Sequence, residues 1–206
     1  MNRAELKSLA KSQIKGNIGI LFLITLVIAL VSGLANVIPV VGAAAVAIVL
    51  TPAFTLALIK IYLRLVAGKK PELGDLFTEF SNFWAAFKVT FLTGLFTALW
   101  SLLFYIPGII KGLSYSQAMY ILAENPGIGA REAIDRSKAM MEGHKMELFV
   151  LILSFIGWFL LGAITFGIAY IYIIPYMCAT LTNFYNSIKP VEVAVEAPVE
   201  TTYVEG

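Results

Sequence analysis

Charged positions divide this chain into long apolar stretches. None occurs from Gly16 to Ile59, from Val89 to Ile110, from Gly112 to Ala123, or from Leu148 to Ile188. A helix rises ~1.5 Å per residue and needs about 20 apolar residues to cross a hydrocarbon core. The first and last stretches are therefore each two crossings long. Each has a break near its middle, at Asn36, Pro39 and Gly42 in the first and from Gly162 to Gly167 in the last. Taken as one helix, Val89 to Ala123 would run about 50 Å, well past a ~30 Å core even with tilt. Pro107-Gly108 stands where a turn divides it. The pattern predicts an all-α, polytopic transmembrane bundle of six spans arranged as three hairpins.

The connections carry a different period. Leu73, Leu76, Phe77, Phe80, Phe83, Trp84 and Phe87 recur at spacings of three and four, with Glu72, Asp75 and Glu79 among them. This spacing predicts an amphipathic helix near residues 72–87 with an aromatic stripe. A second is expected near 129–142, with Ala133, Ile134, Met140 and Met141 on one flank, charged residues elsewhere, and Gly143 as its stop. A third occupies residues 1–16: Asn2 and Glu5 match a capping box, and Lys7, Lys11 and Lys15 form a row beside Leu6, Leu9 and Ile14. Two readings stand for these helices. They lie on the inner leaflet as anchors to anionic lipids, or they form a cytoplasmic docking surface for a membrane protein partner, with Arg131, Arg136 and Lys138 as its cations.

Residues 17–188 then form the membrane domain, and residues 189–206 an acidic, disordered cytoplasmic tail carrying Glu192, Glu196, Glu200 and Glu205. A faint repeat runs through the chain: Pro52, Pro71 and Gly74 return as Pro107, Pro126 and Gly129 at an offset of 55.

Composition agrees with the pattern. Of 206 residues, 59% are apolar and 14% charged, too few polar groups to cover a soluble domain. The net charge of +2 offers no footprint for nucleic acid. The apolar stretch after the basic start outruns a signal-peptide core, so it reads as an uncleaved first span. Six spans with a cytoplasmic N-terminus put every Lys and Arg inside except Lys111, in accord with the positive-inside rule. A single middle crossing would instead turn Arg131, Arg136, Lys138 and Lys145 outward and leave Lys111 in lipid. With six spans, Lys111 sits just past an outer turn and snorkels to the headgroups.

Catalytic constellations are not expected. No Asp, Glu or His falls within a span, and His144 in "EGHK" has no HExxH context. Asp75 and Glu79 lie one turn apart, a pair that reads as a solvated helix face. The single cysteine, Cys178, excludes an internal disulfide and reads as a buried, inert thiol. No metal or cofactor is implied. The fourth span is the most polar, with Lys111, Ser114, Gln117 and Glu124 on one broad flank. That flank either lines a polar path or hydrogen-bonds to neighbouring helices. Gly108 and Gly112 form a GxxxG that admits a close neighbour, and Pro52 and Pro175 are expected to kink their spans.

The segments "NRAELKSLAKSQIKGN", "LGDLFTEF", "YIPGIIKGLSYSQAMYILAENP", "EAIDRSKAMMEGHK" and "PYMCATLTNFY" resemble the membrane family called domain of unknown function 975, over roughly Asn2 to Tyr185. The resemblance implies a bacterial cytoplasmic membrane protein and supplies no activity, ligand or site residue. The expected function is non-catalytic: an accessory or scaffold protein engaging partners through cytoplasmic helices. The alternative is a small transporter or channel along the fourth span.

Overall fold

The computed structural model describes residues 2–35, 48, 50–103 and 105–190. The expected breaks at Asn36, Pro39 and Gly42 and the acidic residues of the tail lie outside the described residues. Among the described residues the chain is helical, without a strand. It runs α1 (Arg3–Ile14), α2 (Ile18–Ala35), α3 (Thr51–Val66) and a single turn α4 (Asp75–Thr78), followed by a 3-10 turn over Glu79–Asn82. It continues as α5 (Phe83–Leu103), α6 (Tyr105–Tyr115), α7 (Ala118–Glu124), α8 (Ala130–Met140), α9 (Lys145–Leu153), α10 (Ile156–Ile164) and α11 (Tyr170–Ile188).

Two stretches, Phe83–Leu102 and Lys145–Ile164, are each 20 residues long and apolar enough to cross a membrane; the second carries a turn at Ser154 and Phe155. A third is added if α1 and α2, bent by 89° at their junction, count as one broken span. Leu30, Leu99, Leu102, Ile106, Leu160 and Ile164 face outward from these and neighbouring helices. Large aliphatic side chains turned away from the core suit hydrocarbon surroundings rather than water.

The local signals at α1 hold. Glu5 Oε2 accepts the Asn2 N–H at 2.9 Å, and Gly16, at φ +87°, ends the helix in a conformation only glycine adopts freely. Its buried row is Leu6, Ala10 and Ile14; Leu9, expected in the stripe, is exposed. That row seats α1 on α11, with Ala10 and Ile14 in a core shared by Leu21, Phe54, Ile61, Phe155 and Tyr176. A second core joins α3, α5, α7 and α8 through Leu56, Val89, Ile121, Leu122 and Ile134.

Several expectations change. Pro107 and Gly108 are not the hairpin turn: both lie within α6, which begins at Tyr105. Proline is tolerated in a first helical turn, where no N–H partner is required. Gly108 answers a different demand, since a Cβ there would stand 2.8 Å from Ser101 Cα on α5. The GxxxG therefore does admit a close neighbour, and that neighbour is the preceding helix. Pro52 starts α3 rather than kinking it, whereas Pro175 does lie inside α11. The single amphipathic helix expected near 72–87 is divided into α4, the 3-10 turn and the first turn of α5. Leu76 is buried, Arg64 pairs with Asp75, and Phe77 and Trp84 are exposed. Phe83, Phe87 and Phe91 stack in sequence at 5.9 Å spacings along α5.

The break in the last stretch falls where expected. α10 ends at Ile164, Phe166 and Gly167 take positive φ, and α11 begins at Tyr170. The two halves of the faint repeat occupy matching places: Pro71 and Gly74 precede α4 as Pro126 and Gly129 precede α8.

Candidate functional site

The most polar part of the fourth apolar segment is where its helix breaks. Ser114 Oγ donates to Ile110 O and Ser116 Oγ donates to Leu113 O, both at 2.8 Å. Such hydroxyls offer the backbone an alternative to helical bonding, and Ser116 and Gln117 separate α6 from α7. The freed groups are taken up by α8. Ser137 Oγ accepts the Gln117 N–H at 3.2 Å and donates to Ser114 O at 2.8 Å, fully buried. One hydroxyl thus joins α8 to both sides of the break. Gln117 Nε2 donates to Ser116 Oγ at 2.8 Å, and its Oε1 is buried without a hydrogen-bond partner.

Beneath this junction, α7, α8 and the C-terminal end of α11 enclose a cavity of about 670 Å³. Ile121 and Met140 give it apolar walls; Glu124, Asn125, Arg136, Tyr185 and Lys189 give it polar ones. Glu124 Oε2 accepts from Tyr185 Oη and from Lys189 Nζ, both at 2.6 Å, with the Glu124 side chain 26% exposed. Tyr185 stacks on Tyr120 at 5.0 Å, which fixes the phenol. Arg136 is paired with Glu132, one turn back on α8, at 2.8 Å. Glu124 and Lys189 are thus paired with each other, and Arg136 with Glu132. Among the described residues no group of three His, Cys, Asp or Glu side chains could hold a metal ion.

The seven residues singled out from the sequence do not form two separate surfaces. Lys111, near the tip of the α5–α6 hairpin, places its ammonium 4.8 Å from the Trp100 ring centroid. Ser114 and Gln117 serve the helix break. Glu124 faces the cavity that Arg136 of α8 also lines. Lys111, Ser114, Gln117 and Glu124 are thus spread over two helices and their junction, and do not form one continuous flank. Arg131 is exposed, and Lys138 donates to Asp135 Oδ1 at 2.7 Å, which holds that carboxyl below its usual range. His144 lies on the surface beside Glu147, as expected. Cys178 is partly buried against the first core. Asp75, paired with Arg64, is an ion-pair partner rather than half of a cation site.

Two features went unmarked in the sequence. Ser137 is a buried serine in an otherwise charged helix. The other is a groove of about 590 Å³ between α5 and α6, lined by Thr90, Thr93, Thr97, Ser101 and Ser116. The spacing of those hydroxyls along α5, at intervals of three and four, was the available signal.

Among the described residues these observations define a helical fold with two or three helices long and apolar enough to cross a membrane, and a cavity with mixed polar and apolar walls where α7, α8 and α11 meet. The chain belongs to the family described as protein of unknown function (DUF975), whose model matches residues 1–111 and 102–192. No curated protein and no solved structure matches it.

Proposed function

We propose that this chain is a non-catalytic protein of the bacterial cytoplasmic membrane, with six spans and with its N-terminus and Lys189 on the cytoplasmic side. Its role is that of an accessory or scaffold component that docks a membrane protein partner through α8. The observation that carries this reading is the Ser137 bridge. It fixes α8 to the bundle and leaves Arg131, Arg136 and Lys138 exposed beside the cavity, Arg136 and Lys138 each paired with a carboxylate of the same helix. A preformed face loses little entropy on docking. Six spans follow if α2, α3, α5, the broken pair α6–α7, the broken pair α9–α10, and α11 each cross once.

Topology is tested with single cysteines at positions 111 and 138 in a Cys178→Ala background, using a membrane-impermeant thiol reagent on intact cells. Position 111 is expected to label from outside and position 138 only after lysis. Labelling of 138 in intact cells, with 111 dark even after lysis, would remove the six-span arrangement. Docking is tested by a photo-crosslinking residue at position 139. One discrete adduct is expected, lost on charge reversal of Arg131, Arg136 and Lys138. An adduct indifferent to that reversal defeats the docking role.

A second reading, a small transporter or channel, is favoured by the hydroxyl-lined groove on α5. It moves the polar path away from Ser114 and Gln117. Thr93→Val with Thr97→Val then abolishes function while the α8 charge reversal spares it.

A further inference from the structure

The cavity between α7, α8 and α11 opens where the described chain ends. Lys189 closes α11 with extended backbone, and Pro190 after it is itself part of the cavity wall. A residue before proline favours that conformation, so the chain turns out of the helix at the cavity. Residues 191–206 follow from this point. They carry Glu192, Glu196, Glu200 and Glu205, and no Asp, Lys, Arg or His.

The charges on the wall suit an acidic segment. Glu124 and Lys189 pair with each other, and Arg136 is the other charged side chain of the lining, its partner Glu132 lying outside it. Arg136 and Glu132 are both more than half exposed, and such a pair within one helix is weak. A guanidinium has five N–H donors, so Arg136 can take a second carboxylate and keep the first. Cations on α1 are engaged elsewhere. Lys7 Nζ stands 4.4 Å from the Phe155 ring centroid, and Lys11 Nζ 5.6 Å from that of Tyr176 and 5.9 Å from that of Trp158.

Reach and pattern agree with charge. Extended residues advance about 3.3 Å each, which carries Glu192 about 10 Å beyond Lys189, the scale of a cavity of about 670 Å³. Val191, Val193 and Val195 alternate with Glu192, Ala194 and Glu196. An extended chain turns alternate side chains to opposite sides, so one side of this segment is aliphatic and the other acidic. The lining divides likewise, apolar at Ala139 and Met140 and cationic at Arg136.

We propose that the chain's own acidic tail occupies this cavity, with the Glu192 carboxylate on Arg136 and with Val191 and Val193 against Ala139 and Met140. The proposal goes beyond the docking role of α8 and does not depend on it. Where a partner does dock there, it has to displace the tail from Arg136.

The test is disulfide trapping in the detergent-purified full chain. In a Cys178→Ala background, Ala139→Cys is combined with Val193→Cys in one protein and with Thr202→Cys in another, and both are oxidised with copper–phenanthroline. The first pair is expected to close within one chain at least tenfold faster than the second, roughly the advantage of a seated residue over a merely tethered one. The ratio of the two rates is the readout, because any change in reactivity at position 139 cancels from it. Glu192→Gln should lower that ratio roughly fivefold, the worth of a strong exposed ion pair. Arg136→Gln should do the same, and the two together no more than either alone, since they remove one interaction. Arg136→Lys keeps most of the ratio, and Lys15→Gln leaves it unchanged. Glu192 lies beyond α11, so its variant carries the test even if an Arg136 variant fails to fold. Equal rates for the two cysteine pairs overturn the proposal. A loss from Glu200→Gln as large as that from Glu192→Gln means diffuse attraction and overturns it too. A disulfide between two chains, resolved by mass, gives the cavity to the tail of a second copy and overturns it as well. The docking role fails separately, on the crosslink to a partner at position 139.

Discussion

Alanine at position 108 is expected to prise α5 from α6 and lower the melting temperature of the detergent-purified protein by roughly 10 °C. The added Cβ would lie 2.0 Å from Ser101 Oγ and 2.8 Å from Ser101 Cα. Rotating the serine hydroxyl removes the first clash. It does nothing for the second, which is with backbone, so the helices themselves must move. Overpacking of this kind costs about 1–3 kcal/mol or more, and for a chain of this size each kcal/mol is worth ~2–4 °C. Ser101→Ala, and even Ser101→Gly, should fail to rescue it because the Cα remains. Gly162→Ala is the instructive contrast. Its Cβ would meet the Tyr170 ring at 2.4 Å, but that ring is a partly exposed side chain held by one bond from its hydroxyl to Phe159 O. It swings aside, and a smaller drop follows. A Gly108→Ala protein that melts with the wild type would mean α5 and α6 are not this close.

That contrast also marks what the sequence makes legible. The capping of α1 by Glu5, the stop at Gly143 and the break between Gly162 and Gly167 were all readable because each is settled by residues a few positions apart. Pro107-Gly108 reads as a turn by the same local logic, and there the logic misleads. The proline fits a first helical turn, while the glycine is set by a helix seven residues upstream. The division of 72–87 has a similar origin. Thr78 Oγ donates to Asp75 O and Ser81 Oγ to Thr78 O, local bonds that compete with continued helix and leave the apolar period untouched. Distance in the chain hid the rest. The basic row of Lys7, Lys11 and Lys15 was visible, but its aromatic neighbours at Phe155, Trp158 and Tyr176 lie more than 140 residues away. Glu124 and Arg136 were each singled out, for separate roles, and only folding places them on one cavity.

Ser137 is the strongest case of a residue without a sequence signal, and its removal is the second large expected effect. Ser137→Ala deletes a hydroxyl that both accepts from Gln117 N–H and donates to Ser114 O. Both backbone groups are then buried without a partner, beside a Gln117 Oε1 that already lacks one. An unsatisfied buried group costs about 1–3 kcal/mol, so a loss of about 3 kcal/mol is expected for the pair, again near 10 °C. The damage is local in form. The Gln117 amide should exchange with solvent faster, and a spin label at position 138 should gain mobility as α8 loosens from the α6–α7 break. Ser137→Thr keeps the hydroxyl and restores most of both. Ser114→Ala is the control, because its own Oγ bonds only to Ile110 O of the same helix, and it should cost less than about 1 kcal/mol. The order of these two effects decides what the polar residues of the fourth segment are for. If Ser137 outweighs Ser114, the polarity is there to bind α8, and the cationic face of α8 depends on it. If Ser114→Ala is the more damaging while α8 stays fixed, the polarity serves the path through the segment, and the docking role of α8 loses the observation that carries it.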